Sequence, residues 1–229
     1  MNKLFTSAAL MLLLAAGTVS CNSNTEKVVP QGGKTCTTAI ETPQQALDAL
    51  VEGNARYVSN NSIHPNTGTA RVAETAPHQE PFAAVVGCSD SRVPVELVFD
   101  QGIGDIFVIR TAGNNVGGKM VMGSVEYAVE HLGVKVLLVL GHESCGGVTS
   151  AITPGEHGGT IGELLHAIQE DIPEFIGKTE ELDSAIHHHT CVQVNEILEN
   201  PVVAHLVQEG KLMVKGAHYD VDSGIVTIK

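Results

Sequence analysis

Three short runs of nearly unbroken apolar sequence constrain this chain more than any other feature. Residues 82–87 read "FAAVVG", residues 105–110 "DIFVIR" and residues 135–141 "KVLLVLG". None shows the strict alternation of a strand with one wet face, so each must be covered on both sides, as strands inside a parallel sheet are. Between the second and third, "GSVEYAVEHLG" sets Val125, Ala128, Val129 and Leu132 at helical spacing, with Gly133 as the stop. Strands that alternate with helices in this way predict a layered α/β fold.

The remaining punctuation fills in the order of elements. Thr42 followed by Pro43 reads as an N-cap and first helical position, opening an N-terminal helical arm to about Ser59, with Ala46, Leu47, Leu50, Val51 and Tyr57 on its apolar side. Thr160 and Glu163 predict a capping box for "TIGELLHAIQE". A longer helix is expected over 182–199, and Asn200-Pro201 starts another that ends at Gly210. The chain closes with "KLMVKGAHYD" and "GIVTI", joined through "VDSG" as a hairpin. The fold class is α/β: a central, mostly parallel β-sheet with an antiparallel C-terminal edge, flanked by helices.

Size and charge narrow the function classes. With 229 residues and 43% hydrophobic content, the chain suits one domain with a sizeable core. A formal charge of −13, without any Lys/Arg cluster, repels phosphate backbones and anionic membrane surfaces, so nucleic acid is not an expected partner.

The N-terminus differs in kind from the rest. Lys3, the mostly apolar stretch from Leu4 to Ala16 and small residues up to Ser20 make residues 1–20 an export signal, too short in its apolar part to span a bilayer comfortably. "GTVSC" ending at Cys21 resembles a bacterial lipoprotein signal, in which that cysteine carries the lipid; Thr18 departs from the usual Leu, and plain cleavage near Ser20 stands as the other reading. Residues 21–40 then form a polar tether and residues 41–229 the domain. The expected location is the periplasm or outer surface of a bacterium, with the membrane met only through an anchor at Cys21. Of the five cysteines, Cys36 and Cys191 have no other assignment; a bridge between them is one expectation for an exported chain, two unpaired thiols the other.

The chemistry collects at two strand ends. Ligand crevices of open parallel sheets lie beyond the carboxyl ends of their strands. "CSDSR", Cys88 to Arg92, follows the first run, and "GHESCGG" follows the third. Cys88, His142 and Cys145 therefore reach one rim, and two thiols with one imidazole form a zinc-type donor set that leaves a fourth position for chemistry. Asp90 can complete that tetrahedron itself in a closed state, or accept a hydrogen bond from the water in the fourth position. Arg92 can hold its carboxylate ionised through a paired contact. Such a site suits attack by metal-activated hydroxide on a small electrophile. Two thiolates donate more charge than imidazoles would, so activity is expected at neutral to alkaline pH.

"CSDSR" and "GHESCGG" together strongly resemble the β-class carbonic anhydrases, zinc enzymes that interconvert carbon dioxide and bicarbonate. The resemblance runs from about Pro43 to the C-terminus and includes "RTAGN", "SVEYAVEHLGV" and "GAHYDVDSG". It implies one zinc ion per chain on Cys88, His142 and Cys145, with Asp90 and Arg92 as the catalytic dyad. Gln79 matches a substrate-binding glutamine of the plant-like branch, and Phe107, Ala112, Val116 and Tyr127 fall in segments that match a small apolar substrate pocket. The family's assembly through the N-terminal helix and sheet edge implies a homodimer or larger homo-oligomer. Val85 stands where some bacterial members carry a tryptophan that forms an inhibitory bicarbonate site, and this chain has no tryptophan, so closure of that kind is not expected.

Other functions for the same residues are a carbonyl sulfide or carbon disulfide hydrolase and a non-catalytic zinc- or anion-binding lipoprotein. Three consecutive histidines, His187 to His189, point in different directions on a helix and cannot all face one ion; His187 and His188 are expected in solvent.

Overall fold

The computed structural model describes residues 39–229. The export segment 1–20, Cys21, Cys36 and nearly all of the tether therefore lie outside the described residues. Among the described residues, no helix is long and apolar enough to cross a membrane.

The three apolar runs form β1 (Ala83–Cys88), β2 (Ile106–Thr111) and β3 (Val136–His142). With β4 (Met213–Tyr219) and β5 (Val226–Ile228) they make one sheet in the order β2-β1-β3-β4-β5, parallel throughout except for the antiparallel β5. β1 and β3 lie at its centre and are buried along their whole length, which accounts for their unbroken hydrophobicity. β2 is an outer strand and only partly buried.

Each face has its own core. On one, Leu138, Leu140, Val85 and Tyr219 pack with Ala46 and Leu50 of α1 (Pro43–Val58) and with Phe99 just past the short α3 (Val95–Val98), α2 being Thr69–Thr75. On the other, Val86, Leu137 and Val139 meet Val125 of α4 (Lys119–Glu126), Ile197 of α7 (Leu182–Glu199) and Val203 of α8 (Pro201–Gln208). A third cluster joins Cys88 and Cys145 to α5 (Gly146–Ile152), α6 (Gly159–Asp171) and the start of α7. Val51, expected on the apolar side of α1, is 46% exposed; Ala46 and Leu50 carry that contact.

The end signals of α1 and α8 act as read. Thr42 Oγ1 accepts from the Gln45 amide at 3.2 Å while Gln45 Oε1 accepts from the Thr42 amide at 3.0 Å, a reciprocal capping box. Asn200 caps α8 by accepting from the amide of Val202 at 3.0 Å. The box expected from Thr160 and Glu163 does not form, because α6 begins at Gly159 and Thr160 is already inside it. The helix at 123–133 starts earlier than its sequence pattern suggests, at Lys119, and passes into a π-turn over Tyr127–His131 before Gly133 ends it at φ 65°.

One buried amide ties the N-terminal helix to the C-terminal hairpin. Asn54 donates to the carbonyls of Val98 and Gly224 at 3.0 and 2.9 Å and accepts from the amide of Val226 at 2.9 Å. Gly53 beside it lets α1 approach closely, since a Cβ there would collide with the Phe99 carbonyl oxygen. This brace holds the hairpin of β4 and β5 in place beside β3, which with β1 carries the rim on which the functional residues stand.

Candidate metal centre

Cys88 is the last residue of β1 and His142 the last of β3. The two strands pair directly in parallel, with Gly87 level with Leu140, so both side chains leave the sheet at the same rim. Ser144, in the left-handed region at φ 54°, turns the chain so that Cys145 comes back toward them at the start of α5. The ligand atoms of Cys88, His142 and Cys145 lie within 4.8 Å of one another, and all three residues are buried.

Two observations fit this triad to zinc. The sulfurs of Cys88 and Cys145 are 4.0 Å apart; two Zn–S bonds at tetrahedral angles require about 3.8 Å. Nδ1 of His142 donates to the Glu143 carbonyl at 2.9 Å, since a carbonyl can only accept. That contact fixes the tautomer and leaves Nε2 as a bare lone pair, fully buried and without a hydrogen-bond partner. A buried nitrogen without a partner is costly unless something electrophilic meets it.

The surroundings are arranged for negative sulfur. Cys88 Sγ accepts from the amides of Asp90 at 3.4 Å and Gly113 at 3.3 Å. Its pKa is lowered, first by the hydrogen bond with Cys145 and, against the cost of burial, by His142 and these two amides. Cys145 is pushed the other way by the same contact with Cys88, by burial and by the neighbouring negative charge. Ionisation of one sulfur thus opposes ionisation of the other, and a divalent cation is what lets both ionise.

Asp90 and Arg92 form a paired contact beside the triad. The guanidinium donates to Oδ1 at 3.0 Å and to Oδ2 at 2.8 Å, and the Arg92 amide donates to Oδ1 at 2.9 Å. The Asp90 carboxyl is accordingly held below the usual carboxylate range, mainly by the Arg92 side chain. Arg92 also reaches the Ser144 carbonyl at 3.1 Å, so the dyad is fastened to the turn between His142 and Cys145. Asp90 Oδ2 lies 3.9 Å from His142 Nε2, turned to the arginine instead of joining the three donors.

The other residues singled out from sequence divide by position. Ala112 lies in the turn that follows β2, next to Gly113 and the rim, and Val116 is fully buried in the core behind it. Phe107 is level with Ala84 near the start of β2, four residues before the strand ends beside Cys88, or about 13 Å at strand rise. Tyr127 packs at a tilt beside Phe107, with ring centroids 6.0 Å apart, and is 44% exposed. Gln79 is exposed in the segment that leads into β1, at the opposite end from Cys88. A single chain therefore does not bring Gln79, Phe107 or Tyr127 to its own three donors.

His189 is the group that sequence reasoning passed over. Unlike His187 and His188 it is fully buried; its Nε2 donates to the Gly113 carbonyl at 2.8 Å and its Nδ1 lies 3.2 Å from Asp171 Oδ2. Gln193, one turn further along α7, donates to the same carboxylate at 2.7 Å and accepts from the Val116 amide. Asp171, His189 and Gln193 thus pin the 113–116 turn, whose Gly113 amide points at the Cys88 sulfur. The detectable signal was the spacing of His189 and Gln193 on one face of α7, the face opposite His187 and His188.

Comparison with known proteins agrees with this geometry. The sequence profile of the family described as "Carbonic anhydrase" matches residues 83–226. "Carbonic anhydrase 2" of Mycobacterium tuberculosis is 33% identical over 195 residues, covering 82% of this chain and 93% of that protein. A "Carbonic anhydrase" of Mycolicibacterium smegmatis is 34% identical over the same length and coverage. Among solved structures, a tetrameric β-carbonic anhydrase of Sordaria macrospora superposes with a TM-score of 0.66 at 24% identity, over 80% of this chain and 95% of that one, and speaks for the fold. A Coccomyxa β-carbonic anhydrase in complex with acetazolamide superposes with a TM-score of 0.63 at 26% identity, over 83% and 86%. The chain belongs to the β-class carbonic anhydrases. It is an enzyme of the lyase type, and its Cys88–His142–Cys145 set is the candidate site for the zinc these enzymes use.

Replacing His189 by Ala should loosen the Gly113 cradle and weaken zinc retention about 10- to 100-fold in competition with a chromophoric chelator, while His189→Gln, which can still donate, should recover most of it. Equal zinc affinity in all three proteins would show that His189 serves packing alone.

Proposed function

We propose that the protein catalyses the reversible hydration of carbon dioxide to bicarbonate and a proton at the Cys88–His142–Cys145 site. The observation that carries this reading is the buried, partnerless Nε2 of His142, facing two cysteines at zinc spacing, beside an ionised aspartate. Cys88, His142 and Cys145 would hold the zinc, and the chemistry it would supply there is the acidification of water to a nucleophile near neutral pH. The chain's own residues do the rest. Asp90, kept anionic by Arg92, would accept a hydrogen bond from the O–H of the nucleophile, which keeps its proton and turns a lone pair toward the substrate. Arg92, fixed by Asp90 and the Ser144 carbonyl, prevents that carboxylate from swinging away. Ala112, at the rim, gives the entering carbon dioxide an apolar wall, which suits a molecule that offers few hydrogen-bonding groups, and Val116 backs that wall from the core.

We also propose a homodimer or a larger homo-oligomer of such dimers. Among the described residues β2 has no strand on its outer side; Phe107 of β2 and its neighbour Tyr127 sit at this edge, and they and Gln79 lie away from their own chain's donors. A second copy packed against the edge would bring them to its metal centre, completing a substrate pocket that one chain leaves unfinished. In the full-length protein, residues 1–20 direct export and Cys21 carries a lipid that anchors the enzyme through the tether at the periplasmic or outer surface. The support is the short apolar stretch followed by small residues and a cysteine. Membrane association that persists in a Cys21→Ala variant would overturn the anchor.

Hydrolysis of carbonyl sulfide or carbon disulfide would use the same donors, and no observation favours it over carbon dioxide. Asp90→Asn should keep as much zinc as the wild type while carbon dioxide hydration, followed by stopped-flow with a pH indicator, falls at least about 100-fold. An unchanged rate would refute the role of Asp90, and a wild-type protein with zinc but no activity would indicate a binding protein.

The shared pocket has its own check. Asp90→Asn and Gln79→Ala, each weakly active alone, should regain about a quarter of wild-type activity when unfolded and refolded together, because one site in each mixed dimer is intact. No regain in verified mixed dimers would mean that Gln79 acts within its own chain or not at all.

A further inference from the structure

A second cluster of metal-ligating side chains lies outside the catalytic centre. Asp183 and His187 are four residues apart on α7 and so share one face of the helix, with His187 Nε2 3.6 Å from Asp183 Oδ2. Across from them stands His218 of β4, its ring centroid 4.2 Å from that of His187. One ligand atom from each of the three residues lies within 4.8 Å of the other two. No residue of the catalytic triad or dyad takes part.

An ordinary surface ion pair does not account for this arrangement. Asp183 can satisfy His187, but His218 Nδ1 is buried and has no hydrogen-bond partner. Two imidazoles in contact cannot both carry a proton without repelling each other, and His218 is already disfavoured as a cation, first by burial and then by His187. Two adjoining imidazoles and a carboxylate, with one buried imidazole nitrogen left without a partner, are a good donor set for a borderline divalent ion. The charges facing the cluster are the carboxylates of Asp183 and Asp220 and, against them, the ammonium of Lys229. Donors around tetrahedral zinc stand about 3.3 Å apart, against separations here of 3.6 Å for His187 to Asp183 and within 4.8 Å for the set.

We propose that Asp183, His187 and His218 bind a second divalent cation of the zinc class, clamping α7 to β4. His218 is level with Gly141, the residue before the catalytic ligand His142, so the clamp would bridge a helix to the strand next to the catalytic rim. Its two nitrogens and one oxygen make it a harder site than the two sulfurs and one nitrogen at the rim, so it releases zinc first when a chelator is added.

The test is zinc stoichiometry and affinity on the full chain without a histidine tag, titrated with zinc against a chromophoric chelator. The wild type should take up one more equivalent than His187→Ala, with micromolar or tighter affinity, and Asp183→Asn should weaken that equivalent. His188→Ala, which changes the neighbouring imidazole only, should leave it in place. Because the result is a difference between variants, it does not depend on what the Cys88–His142–Cys145 site binds. Circular dichroism on His187→Ala, a half-buried position, confirms that the fold is kept. Equal stoichiometry in the wild type and His187→Ala, or loss of the extra equivalent equally in His188→Ala, would overturn the proposal.

Discussion

The direct parallel pairing of β1 with β3 is the constraint on which the rest depends. It puts the residue after Gly87 and the residue after Gly141 at one edge of the sheet, so a thiol and an imidazole separated by more than fifty positions in the chain meet without any loop having to find the other. Both strands are fully buried, and their register is therefore hard to change: a slip of one residue would turn every side chain to the opposite face. Precision at the metal centre comes from the core below it.

Burial has an electrostatic cost that the site is built to offset. Two sulfurs removed from water resist ionisation, and the protein answers with two amides aimed at Cys88, while His142, its N–H tied to a carbonyl on the far side, offers the site a lone pair. These amides do not neutralise the charge of two thiolates, and Cys88 and burial push the Cys145 thiol up, against ionisation. Asp90 is handled in the opposite way: it lies nearer the solvent, and an arginine keeps it charged. Next to one another stand a buried cluster that calls for positive charge and a carboxylate that remains available to direct a proton.

Much of this was legible in the chain. Two of the three apolar runs announced central strands, which have no wet face, and ligands at the ends of those two meet at one rim; the third run became the partly buried outer strand β2. The motifs carried Asp90 and Arg92 as well, since a two-residue spacing suffices for the side chains to pair across one turn. What the sequence hid were contacts made at long range through backbone atoms. The Gly113 amide on Cys88 and the His189 bond that holds it depend on where α7 docks, and no local pattern encodes that. Thr160 read as a cap because its spacing to Glu163 was right; the glycines before it let the helix begin earlier. Gln79, Phe107 and Tyr127 were recognisable as pocket-like by resemblance, yet only the register of β1 and β2 puts them a strand's length from their own metal centre.

X-ray absorption at the zinc edge on the purified Asp183→Asn, His187→Ala double variant, which isolates the rim site, tests the central claim most directly. Coordination by Cys88, His142 and Cys145 predicts a first shell of about two sulfurs near 2.3 Å and one imidazole nitrogen near 2.0 Å, with one further light atom. A shell of nitrogen and oxygen alone, or zinc that survives the loss of Cys88 with its sulfur count unchanged, would contradict it.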